Sequence, residues 1–145
     1  MSEATDYSTD ILTWSERQAA LLRRRAAGEL VNDNDLDWPN IAEEIEAVGQ
    51  SQIDAVESWI FQAFVHMLKA EAWPLSDTVP HWLSEARGFR VQARRRYRPS
   101  MAQRIDVTGL YADALYALPE TIDGLPPLPL PTECPVTLDE LLAAG

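Results

Sequence analysis

Between Leu36 and Pro74 the apolar positions keep one helical phase. Ile41, Ile45, Val48, Val56, Trp59, Ala63 and Met67 follow one another at steps of three, four or a multiple of a turn, with Gln52 the one polar residue near the centre. The pattern predicts one very long helix opening near Asp37 or Asn40. Asp37 would cap it with Pro39 in the first turn, where a missing N–H costs little; alternatively Asn40 caps it, with Glu43 three residues on. The phase survives Gly49, so one helix, bent at most, is expected there rather than two. From Trp59 to Leu68 a second strip, Phe61, Phe64 and Leu68, makes the helix apolar on more than one side, which marks it as central.

Three more helices follow from the same reasoning. The first, from about Asp10 to Ala27, can be capped by Thr9 or Asp10, gathers Ile11, Trp14, Leu21 and Leu22 on one side, and stops at Gly28. Arg23, Arg24 and Arg25 sit in its last turns, where cations favour the carboxyl end of the helix dipole. The third spans about Pro80 to Arg98, with Trp82, Ala86, Phe89, Ala93 and Tyr97 as its apolar stripe and Arg87, Arg90, Arg94 and Arg98 as a second one; Pro99 ends it. The fourth is expected to open with Ser100 and Gln103 as a capping box and to bury Val107, Tyr111, Ala114 and Leu118 before Pro119.

Beyond Pro119 the pattern changes. Prolines interleave with Leu125, Leu128 and Leu130, so this stretch cannot be a central helix or strand and is expected to lie extended, pressing its leucines onto the helices. Thr137 and Glu140 form another capping-box pattern, opening a short last helix through Leu141 and Leu142. The fold read from the sequence is all-α: an antiparallel bundle of four main helices, the second very long, with a proline-rich tail and a short final helix. Residues 1–145 form one helical domain, with 1–9 an N-terminal arm, 10–118 the bundle and 119–145 the wrapping tail.

Composition narrows the function classes. The formal charge of −11 argues against general nucleic-acid binding, which rests on Lys and Arg neutralising phosphates. The charge is unevenly placed: the stretch from His81 to Arg104 carries seven arginines and a single acid, Glu85. That segment is either an internal counter-charge to the acidic helices or an anion site. Cys134 is the only cysteine, so no internal disulfide forms and a reducing compartment is expected. The acidic start lacks the layout of an export signal, and no apolar run approaches a membrane span. A cytoplasmic location and no membrane contact are the expectation.

Candidate chemistry is sparse. Glu43, Glu46 and Glu57 share one flank of the second helix, but a di-metal centre also needs Glu-x-x-His on two helices, and neither His66 nor His81 has a Glu three residues before it. Along an unbroken helix Glu43 and His66 would be about 35 Å apart, too far to share a ligand. His66 reads as a packed or backbone-bonded histidine, with Gln62 and Lys69 beside it as a tunable polar edge. Asp33, Asp35, Asp37 and Glu44 match four calcium-loop positions, yet Trp38 stands where the loop needs Gly. Cys134 has no basic residue near it in sequence and reads as a small buried packing residue. The helix-three arginines remain the best lead, because guanidinium forks grip carboxylate or phosphate, and Trp82, Phe89 and Tyr97 stand close by in sequence.

Four motifs carry a resemblance. They are Tyr7, Asp10, Trp14, Gln18 and Leu21-Leu22-Arg23; Asn40-Ile41-Ala42-Glu43-Glu44-Ile45-Glu46 with Gly49; His66-Met67-Leu68-Lys69 with Pro74; and Pro131-Thr132-Glu133-Cys134-Pro135-Val136-Thr137-Leu138. Together they resemble a bacterial family known as domain of unknown function family twenty-nine, frequent in cyanobacteria and proteobacteria. The resemblance covers nearly the whole chain. It implies an all-helical domain and no assigned activity.

The expectation for function is a non-enzymatic interaction module that works through segregated acidic and arginine-rich helical faces, with a protein partner or self-association and no cofactor or metal. A second reading is a small enzyme or anion-binding domain built on Glu43, Glu46, His66, Lys69, Trp82, Arg87, Arg90 and Arg94. A third is a regulator that contacts nucleic acid through the same arginines.

Overall fold

A computed structural model describes residues 7–143. Among these residues the chain is all-α: α1 (Ile11–Ala26), α2 (Trp38–Ala72), α3 (Val79–Arg96), α4 (Val107–Tyr116) and α5 (Leu138–Ala143), with 3-10 turns at Asp33–Asp35 and Pro99–Met101. Residues 7–9 are helical as well. The expected arm thus falls partly outside the described residues. The chain divides between Gln50 and Ser51 into two compact units, and α2 contributes residues to both.

The first unit is built on a short apolar cluster and a polar clamp. Asp10 caps α1 by accepting from the Thr13 backbone N–H and hydroxyl, bonds that hold its carboxyl below the ordinary 3.8. Gly28, at φ +87, turns the chain out of α1, and Glu29 N–H reaches back to Arg24 C=O. Trp14, Leu36 and Ile41 then bury against one another, with Tyr7, Leu21, Leu22 and Val31 around them. Gln18 is the buried polar residue of this unit. Its amide donates to Asp35 C=O and accepts from Asp37 N–H, so one side chain satisfies both sides of the turn entering α2. Asp37 in turn accepts from Trp14 Nε1 and from Asn40.

One expectation about α2 is corrected here. Ile45 and Val48, placed on its buried stripe by periodicity, are 69% and 64% exposed. Periodicity identifies a face but not whether anything covers it. Further along, Ile53, Val56, Ile60, Ala63, Phe64 and Leu68 are buried, and the Phe61 strip packs beside them.

The second unit surrounds that part of α2 with Ala93 of α3, Met101 and Ile105, Tyr111 and Ala114 of α4, and Leu141 and Leu142 of α5. A smaller cluster of Ala70, Ala72, Trp73 and Trp82 lies at the end of α2. Arg98, extended as a residue before proline must be, ends the α3 region before Pro99. The expected Ser100 cap is replaced. Pro99–Met101 forms a 3-10 turn, and α4 starts later with Asp106 accepting from Gly109 N–H. The Thr137–Glu140 box is present, each side chain bonded to the other residue's backbone N–H.

The tail departs from expectation in how it is held. Leu125 and Leu128 are more than half exposed, and only Leu130 of the three packs against the core clusters. Backbone groups do the docking instead. Leu128 N–H donates to Ala72 C=O, Trp73 Nε1 donates to Leu125 C=O at 2.8 Å, and Tyr111 hydroxyl donates to Pro131 C=O at 2.6 Å. Proline-rich chain makes no internal ladder, so its carbonyls are free to accept from side chains.

Candidate functional site

The residues singled out from sequence fall in both units. In the first, Glu43 and Glu46 are exposed, whereas Glu44 between them is half-buried and accepts a 2.6 Å bond from Tyr7 hydroxyl. That bond pushes the Tyr7 hydroxyl from its ordinary 10.0 up to about 12, because ionising it would set a phenolate against a carboxylate. Asp33 is paired with Arg25 and Asp37 is held by Trp14 and Asn40, so two of the three calcium-loop aspartates are engaged in local bonds. Among the described residues no three His, Cys, Asp or Glu side chains are grouped to hold a metal ion.

In the second unit, His66 donates from Nδ1 to Gln62 C=O at 2.8 Å, which ties the ring to the preceding turn of α2, and the ring makes a T-shaped contact with Phe89 at 5.0 Å. Phe89 also stacks on Trp59. Lys69 is half-buried. Trp82 is 7% exposed and packs with Trp73, so its ring is core and offers no platform to a ligand. Cys134 is half-buried, its thiol donating to Val136 C=O.

The arginines of α3 divide by role. Arg90 donates to Leu141 and Glu140 carbonyls at 2.9 and 3.1 Å, supplying donors to the last turn of α5. Arg98 lies past the end of α3 and donates to Arg95 and Tyr97 carbonyls. Arg87, Arg94, Arg95 and Arg96 are exposed, and among the described residues none of them is in an ion pair. Arg98 and Arg104 are exposed too, and the chain carries no acid between residues 86 and 105; at about 100° per residue Arg87 and Arg94 share one side of α3, whereas Arg96 lies opposite Arg87.

Sequence reasoning missed two clefts in this unit, each about 390 Å³. One lies between Trp73, Pro74, Leu75 and the turn at Ile122–Leu125, where Asp123 and Gly124 both take positive φ. The other lies between Phe64, Met67 and Glu71 of α2, Leu83 of α3, Tyr111 of α4 and Val136 of the tail. Burial first, then the nearby Glu71 and Cys134, raises the Tyr111 hydroxyl above its ordinary value. The sequence signal for this second cleft is Glu71, the one acid in the last three turns of α2.

Comparison with known proteins agrees with the helical architecture. The family described as domain of unknown function DUF29 matches residues 7–145. The chain is similar to an alpha-helical protein of unknown function from Rhodospirillum rubrum, known from its crystal structure, at 29% identity and a TM-score of 0.67, over 95% of this chain and 89% of that one. No curated protein matches. Among the described residues no helix is long and apolar enough to cross a membrane.

Proposed function

The chain belongs to the DUF29 family, domains of unknown function, and we propose that it acts as a protein-interaction module whose arginine face on α3 receives an acidic segment of a partner protein. The observation that carries this reading is the pair Arg87 and Arg94, two turns apart on one side of α3, with Arg95 flanking them, all three exposed and without an ion pair among the described residues. Exposed guanidinium groups side by side repel one another, and a carboxylate-bearing chain relieves that repulsion while using their bidentate geometry. An acidic protein segment is favoured over nucleic acid because the remainder of this chain brings the total to −11, and a long polyanion would meet that field along most of its length. A second copy offering Glu43 and Glu46, exposed on the first unit, is one source of such a segment.

A fluorescent peptide of alternating Glu and Ala tests the reading against single-stranded DNA of equal charge. The peptide binds the full chain at low ionic strength, weakens as salt rises, and loses at least tenfold in affinity when Arg87 and Arg94 are both changed to Glu. Absence of peptide binding at low salt, or tighter binding of the DNA, overturns it. Size-exclusion chromatography with light scattering at two salt concentrations reports whether the partner is a second copy.

A further inference from the structure

We propose that the cleft lined by Phe64, Met67, Glu71, Leu83, Tyr111 and Val136 binds a small amphipathic amine, an apolar body carrying one ammonium group, with Glu71 as its counter-ion. The site is distinct from the arginine face and does not depend on it.

Size comes first. A volume of about 390 Å³ falls within the roughly 300–1,000 Å³ common for small-molecule pockets. Part of the lining is aromatic: Phe64 and Tyr111 are each 2% exposed and meet edge to face at 5.4 Å. Tyr111 spends its hydroxyl proton on Pro131 C=O, so the ring contributes an apolar wall rather than a polar anchor. Met67 adds an adaptable thioether, and Leu83, 44% exposed, offers apolar surface at the rim that an occupant would take out of water.

Charge then selects the head group. Glu71 is the single charged residue among the lining side chains, and no Lys, Arg or His lines the cleft. A carboxylate or phosphate head would face that charge uncompensated. An ammonium head would be attracted to it, and because Glu71 is exposed the pair would stay partly hydrated, avoiding the large desolvation penalty of a buried ion pair. Glu71 and Tyr111 line the same cleft, so an ammonium paired with the carboxylate is held near an aromatic wall. The net charge of −11 further favours cations over anions near the surface.

The test uses three probes of one shape on the full chain: phenylbutylamine, phenylbutanol and phenylbutyrate. Titration calorimetry should rank the amine first, the alcohol about fivefold weaker, and the carboxylate weaker still, the first gap being what an exposed ion pair supplies. The Met67 methyl resonance should move as the amine binds. Glu71→Gln, a change at an exposed position, should bring the amine down to the level of the alcohol, whereas Asp123→Asn, in the other cleft, should leave it unchanged. The proposal is overturned if the amine does not saturate, if phenylbutyrate matches it, if Glu71→Gln leaves its affinity intact, or if Asp123→Asn is the change that removes it.

Discussion

Tyr7 and Glu44 stand 37 positions apart and share a 2.6 Å hydrogen bond in which the phenol donates and the carboxylate accepts. The bond ties the residues before α1 to the first turns of α2. It exists only while Tyr7 is protonated, so the folded hydroxyl ionises near pH 12 rather than at 10.0. The sign follows from linkage: a group whose folded value is raised stabilises the fold fully below its unfolded value and loses that contribution as pH climbs to the folded one. The contribution is therefore complete at neutral pH and disappears between about pH 10 and 12. Absorbance titration at 295 nm should find one tyrosine ionising near pH 12, absent in Tyr7→Phe. If Tyr7→Phe instead removes a phenol that ionises near pH 10 and leaves the high-pH component intact, the bond is not formed.

Gln18 yields a sharper test because the residue is 2% exposed. Gln18→Leu keeps the bulk but strands Asp35 C=O and Asp37 N–H, each of which loses its partner. A cost of about 2 kcal/mol or more is expected, since a polar group left unpaired forfeits more than a hydrogen bond ordinarily contributes. Gln18→Glu can still accept from Asp37 N–H but cannot donate to Asp35 C=O. Amide exchange at Asp37 should accordingly quicken strongly in the Leu variant and less in the Glu variant.

Two arginines three positions apart should behave differently. Arg90→Ala removes both donors that serve the Leu141 and Glu140 carbonyls and is expected to cost about 2 kcal/mol in urea unfolding. Arg87→Ala, at an exposed position without an ion pair among the described residues, should change stability by less than about 0.5 kcal/mol. Equal effects would mean that Arg90 contributes no more than surface charge.

These contrasts mark what the sequence alone can carry. The Asp10 cap, the Gly28 stop and the Thr137–Glu140 box were legible because each is a contact within a few residues. The all-α class was legible from period, and the basic surface from composition. Arg90 was not, since an arginine at that spacing can meet a carboxylate, a carbonyl or water, and only the fold decides which. Trp82 looked available beside the arginines and is core instead. Ile45, Val48, Leu125 and Leu128 show the same limit from the other side: apolar spacing does not ensure a neighbour. The Met67–Glu71 cleft arises from four separate elements, so no local pattern announces it.

Asp106 and Gly109 provide a last prediction, in which two helix rules oppose each other. Gly109 sits in the first turn of α4, where Ala would ordinarily stabilise a helix by about 1 kcal/mol. A methyl group added there would clash with the Asp106 carboxylate that caps the same turn through Gly109 N–H. The carboxylate can swing away, but then the cap is lost, at about 1 kcal/mol. Gly109→Ala alone should therefore leave stability nearly unchanged, and Asp106→Ala alone should lower it by about 1 kcal/mol. In the Asp106→Ala background the obstruction is gone, so adding Gly109→Ala should recover most of that loss. The double-mutant cycle measures this coupling directly. Strict additivity would mean that the cap and the methyl group do not compete for the same space.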